Sequence, residues 1–133
     1  MSRDTFIRYG FIAGALANFG GVLVATHGFT SDVVAHHFPA VFSDFGMVAI
    51  LLWGLAYLAV ARSHAAVPWL VAVFALEKLA YVATWLWWIQ HHPLAPVFEQ
   101  SAAAGLFYTV YGANDLAFGL FFAWVFAGTG RGR

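Results

Sequence analysis

The chain has 133 residues, of which 62% are hydrophobic and 9% charged, with a formal net charge of zero. Soluble domains run at about 45–50% and 25%, so this composition excludes an ordinary soluble domain, and the lack of any basic cluster excludes a nucleic-acid partner. With no cysteine, disulfides, thiol catalysis and cysteine-ligated metals are excluded too, and the length predicts one domain.

Four apolar segments follow one another, at roughly 5–26, 40–61, 67–89 and 102–127. Each exceeds the ~20 residues that carry a helix across ~30 Å of hydrocarbon. Arg3 and Arg8 before the first segment resemble the start of a signal peptide. The apolar stretch is long, however, and no A-x-A pattern follows it, which predicts a retained helix. His27-Gly28-Phe29-Thr30-Ser31-Asp32 leads out of that helix, and Pro39 suits the first turn of the second. Arg62-Ser63-His64 is a short polar turn, with His64 alone at that end as a turn residue, and Pro68 opens the third helix. His91-His92-Pro93-Leu94-Ala95-Pro96 closes it, because two prolines forbid continuation. Gly128-Thr129-Gly130 ends the fourth. The predicted fold is an all-α membrane protein: an antiparallel bundle of four transmembrane helices in a single domain over residues 1–133. Its outer loops are too short to fold alone.

Orientation follows from the basic residues. Arg3, Arg8, Arg62, Arg131 and Arg133 fall on one side, and the opposite loops, about 27–39 and 90–101, contain no Lys or Arg. The positive-inside rule then puts both termini and the 62–66 turn in the cytoplasm of a cell whose inner membrane the chain crosses. Trp85, Trp87 and Trp88 mark the outer end of the third helix, and Trp69 and Trp124 the inner interface. Trp53 is deeper and suits packing.

Helices in lipid pack through small residues, since lipid tails compete equally for apolar surface. In the first helix Gly10, Gly14, Ala17, Asn18 and Gly21 form one stripe. In the fourth, Gly105, Tyr108, Gly112, Asp115 and Gly119 do the same. Both stripes are expected to face the bundle and to bring Asn18 and Asp115 inside. Lys78 is ~16 Å from the inner start of its helix. Its side chain reaches only ~6 Å, so it cannot snorkel to either interface. Asp115, at matching depth on the next antiparallel helix, is the predicted partner. Glu77 points ~100° away around the helix and cannot share that geometry. Tyr81 lies one turn beyond Glu77 on its face, Asn114 precedes Asp115, and Asp44 lies one to two turns below the outer surface. Asn18, Asp44, Glu77, Lys78, Tyr81, Asn114 and Asp115 form the candidate ligand- or ion-binding set. No catalytic residue is assigned.

Five of the six histidines, His27, His36, His37, His91 and His92, fall on the outer side with Asp32 and Glu99 nearby. Converging imidazoles could hold zinc, copper or haem. Adjacent histidines diverge, though, and no H-x-x-x-H pair exists, so no metal, haem or other cofactor is expected.

The runs Gly54-Leu55-Ala56-Tyr57 with Ala61-Arg62, then Glu77-Lys78-Leu79-Ala80-Tyr81, then Asn114-Asp115-Leu116-Ala117-Phe118 with Leu120-Phe121-Phe122 carry a resemblance. Over residues 46–126 the chain is similar to small four-helix bacterial membrane proteins of the DoxX-like and BphX-like families. The resemblance implies four spans and an inner-membrane location, and transfers no catalytic residue. The first functional expectation is a structural or accessory membrane protein in which a Lys78–Asp115 pair fixes helix register. The alternatives are a lipid-, ion- or small-molecule-binding or transport bundle, and a membrane enzyme acting on a lipid-soluble substrate. The expected partners are the lipid bilayer and a second copy or another membrane protein. A packed, dry pair favours the first reading; a cavity reaching Glu77, Lys78 and Asp115 favours the others.

Overall fold

A computed structural model describes residues 1–129. Gly130, Arg131 and Arg133, on which the last helix stop and part of the charge bias rest, lie outside the described residues. Among the described residues all regular structure is helical: α1 Arg3–Thr26, α2 Val33–His37, α3 Pro39–Phe42, α4 Asp44–Val60, a 3-10 turn His64–Ala66, α5 Pro68–His91, α6 Ala95–Gln100 and α7 Ala102–Thr129. Of these, α1, α5 and α7 are long and apolar enough to cross a membrane. Leu16, Leu52, Leu76 and Leu120 point outward, each more than half exposed. An apolar surface of that extent is foreign to soluble monomers, and together with the three long helices it suggests a membrane protein.

The helix ends have local causes. Ser2 caps α1, its hydroxyl accepting from the Thr5 N–H, with Asp4 in the first turn, where a carboxylate complements the helix dipole. At the far end the Gly28 N–H reaches the Leu23 carbonyl at 2.9 Å and the His27 N–H reaches Val24. This is the Schellman termination, and His27, Gly28 and Phe29 have positive φ.

The second apolar segment departs from the continuous helix expected over 40–61. Pro39 opens only the short α3, and the chain then breaks at Ser43, which is extended (φ −58°, ψ 169°). The Ser43 hydroxyl accepts from the Gly46 N–H at 3.1 Å, so a new N-cap outcompetes continuation through the same residues. Gly46 permits the break, because a Cβ there would collide with the Val41 carbonyl oxygen. The remaining helix, α4, has 17 residues and a length of ~26 Å. Both connecting loops at this end also carry a short helix, α2 and α6, that the sequence reading treats as plain loop.

The long helices pack as antiparallel neighbours. α1 lies on α4, α5 on α7, and α7 on α1. Aromatic side chains join α4 to α5, with Tyr57 against Phe74 at 4.9 Å and Trp53 edge-on to Phe74 at 6.1 Å. Two buried cores result. One, toward the termini, gathers Phe11, Tyr57, Phe74 and Phe122; the other, toward α2 and α6, gathers Phe42, Trp88, Tyr108 and Tyr111. The polar residues lie between them.

The small-residue stripes do what packing requires at most positions. The Phe121 ring occupies the space beside Gly10, the Phe98 ring that beside Gly105 and the Trp85 indole that beside Gly112. Gly119 lets the Lys78 backbone approach, since an added Cβ would sit 3.2 Å from the Lys78 Cβ. The tryptophans correct the interfacial reading in part. Trp88 is fully buried and stacks on Tyr108 at 4.1 Å, and the Trp85 indole N–H donates to the Tyr108 carbonyl at 2.7 Å. Only Trp87 of the three is exposed. Trp69 and Trp124 are exposed, and the Arg3 guanidinium lies 4.6 Å above the Trp124 ring.

Candidate functional site

Lys78 is 2% exposed, and its ammonium is held from three sides. It donates to Asp115 Oδ1 at 3.1 Å on α7 and to Asn18 Oδ1 at 2.9 Å on α1. The Tyr57 ring of α4 lies with its centroid 5.4 Å from Nζ, within range of a cation–π contact. Each partner is itself fixed. The Asn18 amide donates to the Ile50 carbonyl of α4, and the Asn114 amide donates to Asp115 Oδ1. Charge-assisted bonds of this kind are the strong ones in a low dielectric, and this network ties all four long helices at one level.

Glu77 points elsewhere, as a one-residue offset on a helix requires. Its Oε1 accepts from the Tyr57 hydroxyl, and its Oε2 is buried with no partner. An unsatisfied buried carboxylate oxygen is costly and is a reason to look for what meets it.

A cavity of about 230 Å³ adjoins the network. Asn18, Glu77, Lys78, Asn114 and Asp115 form its polar floor. Its walls are mostly apolar and aromatic, with Ile50 and Phe42 from α4 and α3, Tyr81 from α5, and Phe107 and Tyr111 from α7. Phe42, Phe107 and Tyr111 pack mutually at 5.0 to 5.3 Å. Its mouth lies between α1 and α7. Toward the termini these helices close on each other through Gly10 with Phe121 and Gly14 with Phe118. Past Asn18 they part: a Cβ on Gly21 would meet nothing within 4 Å, and Val110 across the gap is 46% exposed. The polar network therefore sits at the apex of a lateral cleft.

Of the seven candidate residues, Asn18, Lys78, Asn114 and Asp115 are directly bonded, and Glu77 and Tyr81 line the same cavity. Asp44 does not belong. It is exposed in the first turn of α4, just after the Ser43 cap, and lines no part of this cavity. The helix expected over 40–61 breaks immediately before it, at Ser43. Tyr57 is the member sequence reasoning missed. Its only signal was a position three residues after Gly54, on the small-residue face that packs against Asn18 and Phe19.

Among the described residues no three His, Asp or Glu side chains converge as metal ligands. The histidines serve local contacts instead: His37 bonds Gln100, His91 stacks on Trp87 and His92 on Trp88. His64 is more than a turn residue. It is 5% exposed, stacks on Phe11 at 5.8 Å and bonds Asp4 at 3.1 Å, so it clamps the start of α1 to the α4–α5 turn. No protein family, curated protein or solved structure matches the chain.

Proposed function

We propose that the chain is a four-span inner-membrane protein, with both termini cytoplasmic, that binds a small lipid-soluble molecule in the cleft between α1 and α7. The carrying observation is the cavity: about 230 Å³ of mostly apolar space, with aromatic rings in its walls, ends on a built, charged floor and opens sideways, where lipid would be. A Lys–Asp pair serving only to hold helix register has no need of that space, and close packing around it would be cheaper. Ligand sites typically combine an apolar concavity with a few fixed polar groups, and an engineered cavity of ~150 Å³ already holds a benzene.

Three long apolar helices support the membrane assignment. The apolar 17-residue α4, packed along α1, supports a fourth span despite the break before it. The DoxX-like and BphX-like resemblance fits the same topology. The Lys78 network retains the register-fixing role as well, since it bonds α1, α5 and α7 at once.

Binding of tert-butylbenzene to the purified protein in nanodiscs, followed by ligand-observed NMR, tests the reading. Gly21→Phe places a ring in open space at the mouth and is expected to reduce binding at least tenfold while the fold is retained. No binding to the unaltered protein, or binding unaffected by Gly21→Phe, would overturn it.

A further inference from the structure

The charges around the cavity do not balance. Lys78 carries one positive charge, and Glu77 and Asp115 carry two carboxylates, all three residues being buried. The Lys78 ammonium is already satisfied by Asp115, Asn18 and the Tyr57 face. What remains at the cavity is acceptor-rich: the second Asp115 oxygen and the Asn114 carbonyl belong to lining residues, and Glu77, another lining residue, keeps its Oε2 buried and unpartnered. An excess negative charge in low dielectric is sustained only when a counter-charge joins it. Either a proton or a cation fills that role. Four aromatic rings, Phe42, Tyr81, Phe107 and Tyr111, stand among the aliphatic residues that line the rest of the cavity, and ring faces attract organic ammonium groups.

We infer that the occupant is a small lipophilic ammonium compound, and that it competes with one proton for the Glu77–Asp115 carboxylate pair. This rests on the binding role proposed above. In the empty site one of the two carboxylates carries a proton. When the ammonium enters, that O–H bond breaks, the proton leaves to water and the carboxylate keeps the electron pair, so the site stays neutral in both states. The titratable groups that touch Glu77 or share its cavity are Tyr57 from α4, Lys78 and Tyr81 on α5, and Tyr111 and Asp115 from α7; α1 brings only the uncharged Asn18. None of them besides the two carboxylates supplies a second negative charge near neutral pH.

Phenyltrimethylammonium and its neutral isostere tert-butylbenzene separate the possibilities. The first is permanently charged, so any proton released comes from the protein. Calorimetry in two buffers of different ionisation enthalpy should report one proton released per cation bound. Cation affinity should rise about tenfold per pH unit while the site is protonated, because the two equilibria are linked. The affinity for tert-butylbenzene should stay flat. Glu77→Gln should abolish proton release and weaken cation binding at least tenfold. The comparison of the two probes on the unaltered protein decides the matter even if that variant does not fold. Equal or tighter binding of tert-butylbenzene at every pH, or cation binding without proton release, overturns the inference and leaves the binding role standing. Failure of both probes to bind overturns both.

Discussion

Lys78 shows how one residue can be both the most costly and the most informative in a chain. A charge far from either helix end cannot reach water, so it must find a counter-charge, and depth alone identifies Asp115 on the antiparallel neighbour. The two meet at 3.1 Å, with Asn18 joining from α1. Removing one partner of a buried pair leaves the other uncompensated, at roughly 3–5 kcal/mol. Lys78→Met and Asp115→Leu are each expected to destabilise by about that amount, and the double substitution by clearly less than their sum. Unfolding titrations of all four proteins in the same detergent give the coupling, and additive losses would contradict it. The same depth argument does not reach Tyr57. Its role is set by a hydroxyl meeting Glu77 across the interface between α4 and α5, and its place three residues after Gly54 marks a packed face without marking a polar partner. Asp44 fails in the opposite sense. It stands exposed in the first turn of α4, just after the Ser43 cap, and lines no part of the cavity.

At the scale of elements, prolines and glycines made most boundaries legible: Pro68 opens α5 and Gly28 follows the end of α1. The break at Ser43 was not, because Ser-Asp-Phe-Gly interrupts an apolar run without a proline and the cap competes with helix on nearly even terms. The glycine stripes were legible as faces and not as contacts. Gly10 and Gly112 sit under aromatic rings, whereas Gly21, on the same kind of stripe, faces open space. That difference decides where the cleft is, and it depends on how far α1 and α7 diverge, a property no single helix carries. It also separates two substitutions of similar chemistry. Gly112→Leu must displace the Trp85 indole, whose N–H donates to the Tyr108 carbonyl. A loss of about 1–3 kcal/mol from overpacking is expected, and more if the indole N–H is left unpaired. Gly21→Phe, which blocks the proposed site, should leave the unfolding transition within about 0.5 kcal/mol of the parent, as substitutions away from packed features do. Comparable destabilisation of the two variants would mean that the cleft is closed in the folded protein.

For the whole molecule, the fold and the membrane place different constraints. Packing alone fixes which helices are neighbours, and it is indifferent to which end faces the cytoplasm. The basic residues break that symmetry. Arg3, Arg8 and Arg62 gather at one end, beside the His64–Asp4 clamp, and the end formed by α2 and α6 has no Lys or Arg. In the proposed orientation, with basic residues retained on the cytoplasmic side during insertion, the cleft, which opens beyond Asn18 toward α2 and α6, lies in the outer half of the bilayer. The chain has no cysteine, so single-cysteine variants report without background. Ser31→Cys, in the loop before α2, is expected to react with a membrane-impermeant maleimide applied to spheroplasts. Ser63→Cys, in the exposed turn before α5, is expected to react only after permeabilisation. The opposite pattern would invert the molecule and put the cleft in the cytoplasmic half. Labelling of both sites in intact spheroplasts would place the two ends on the same side, which an even number of crossings between them, rather than the single span of α4, would require.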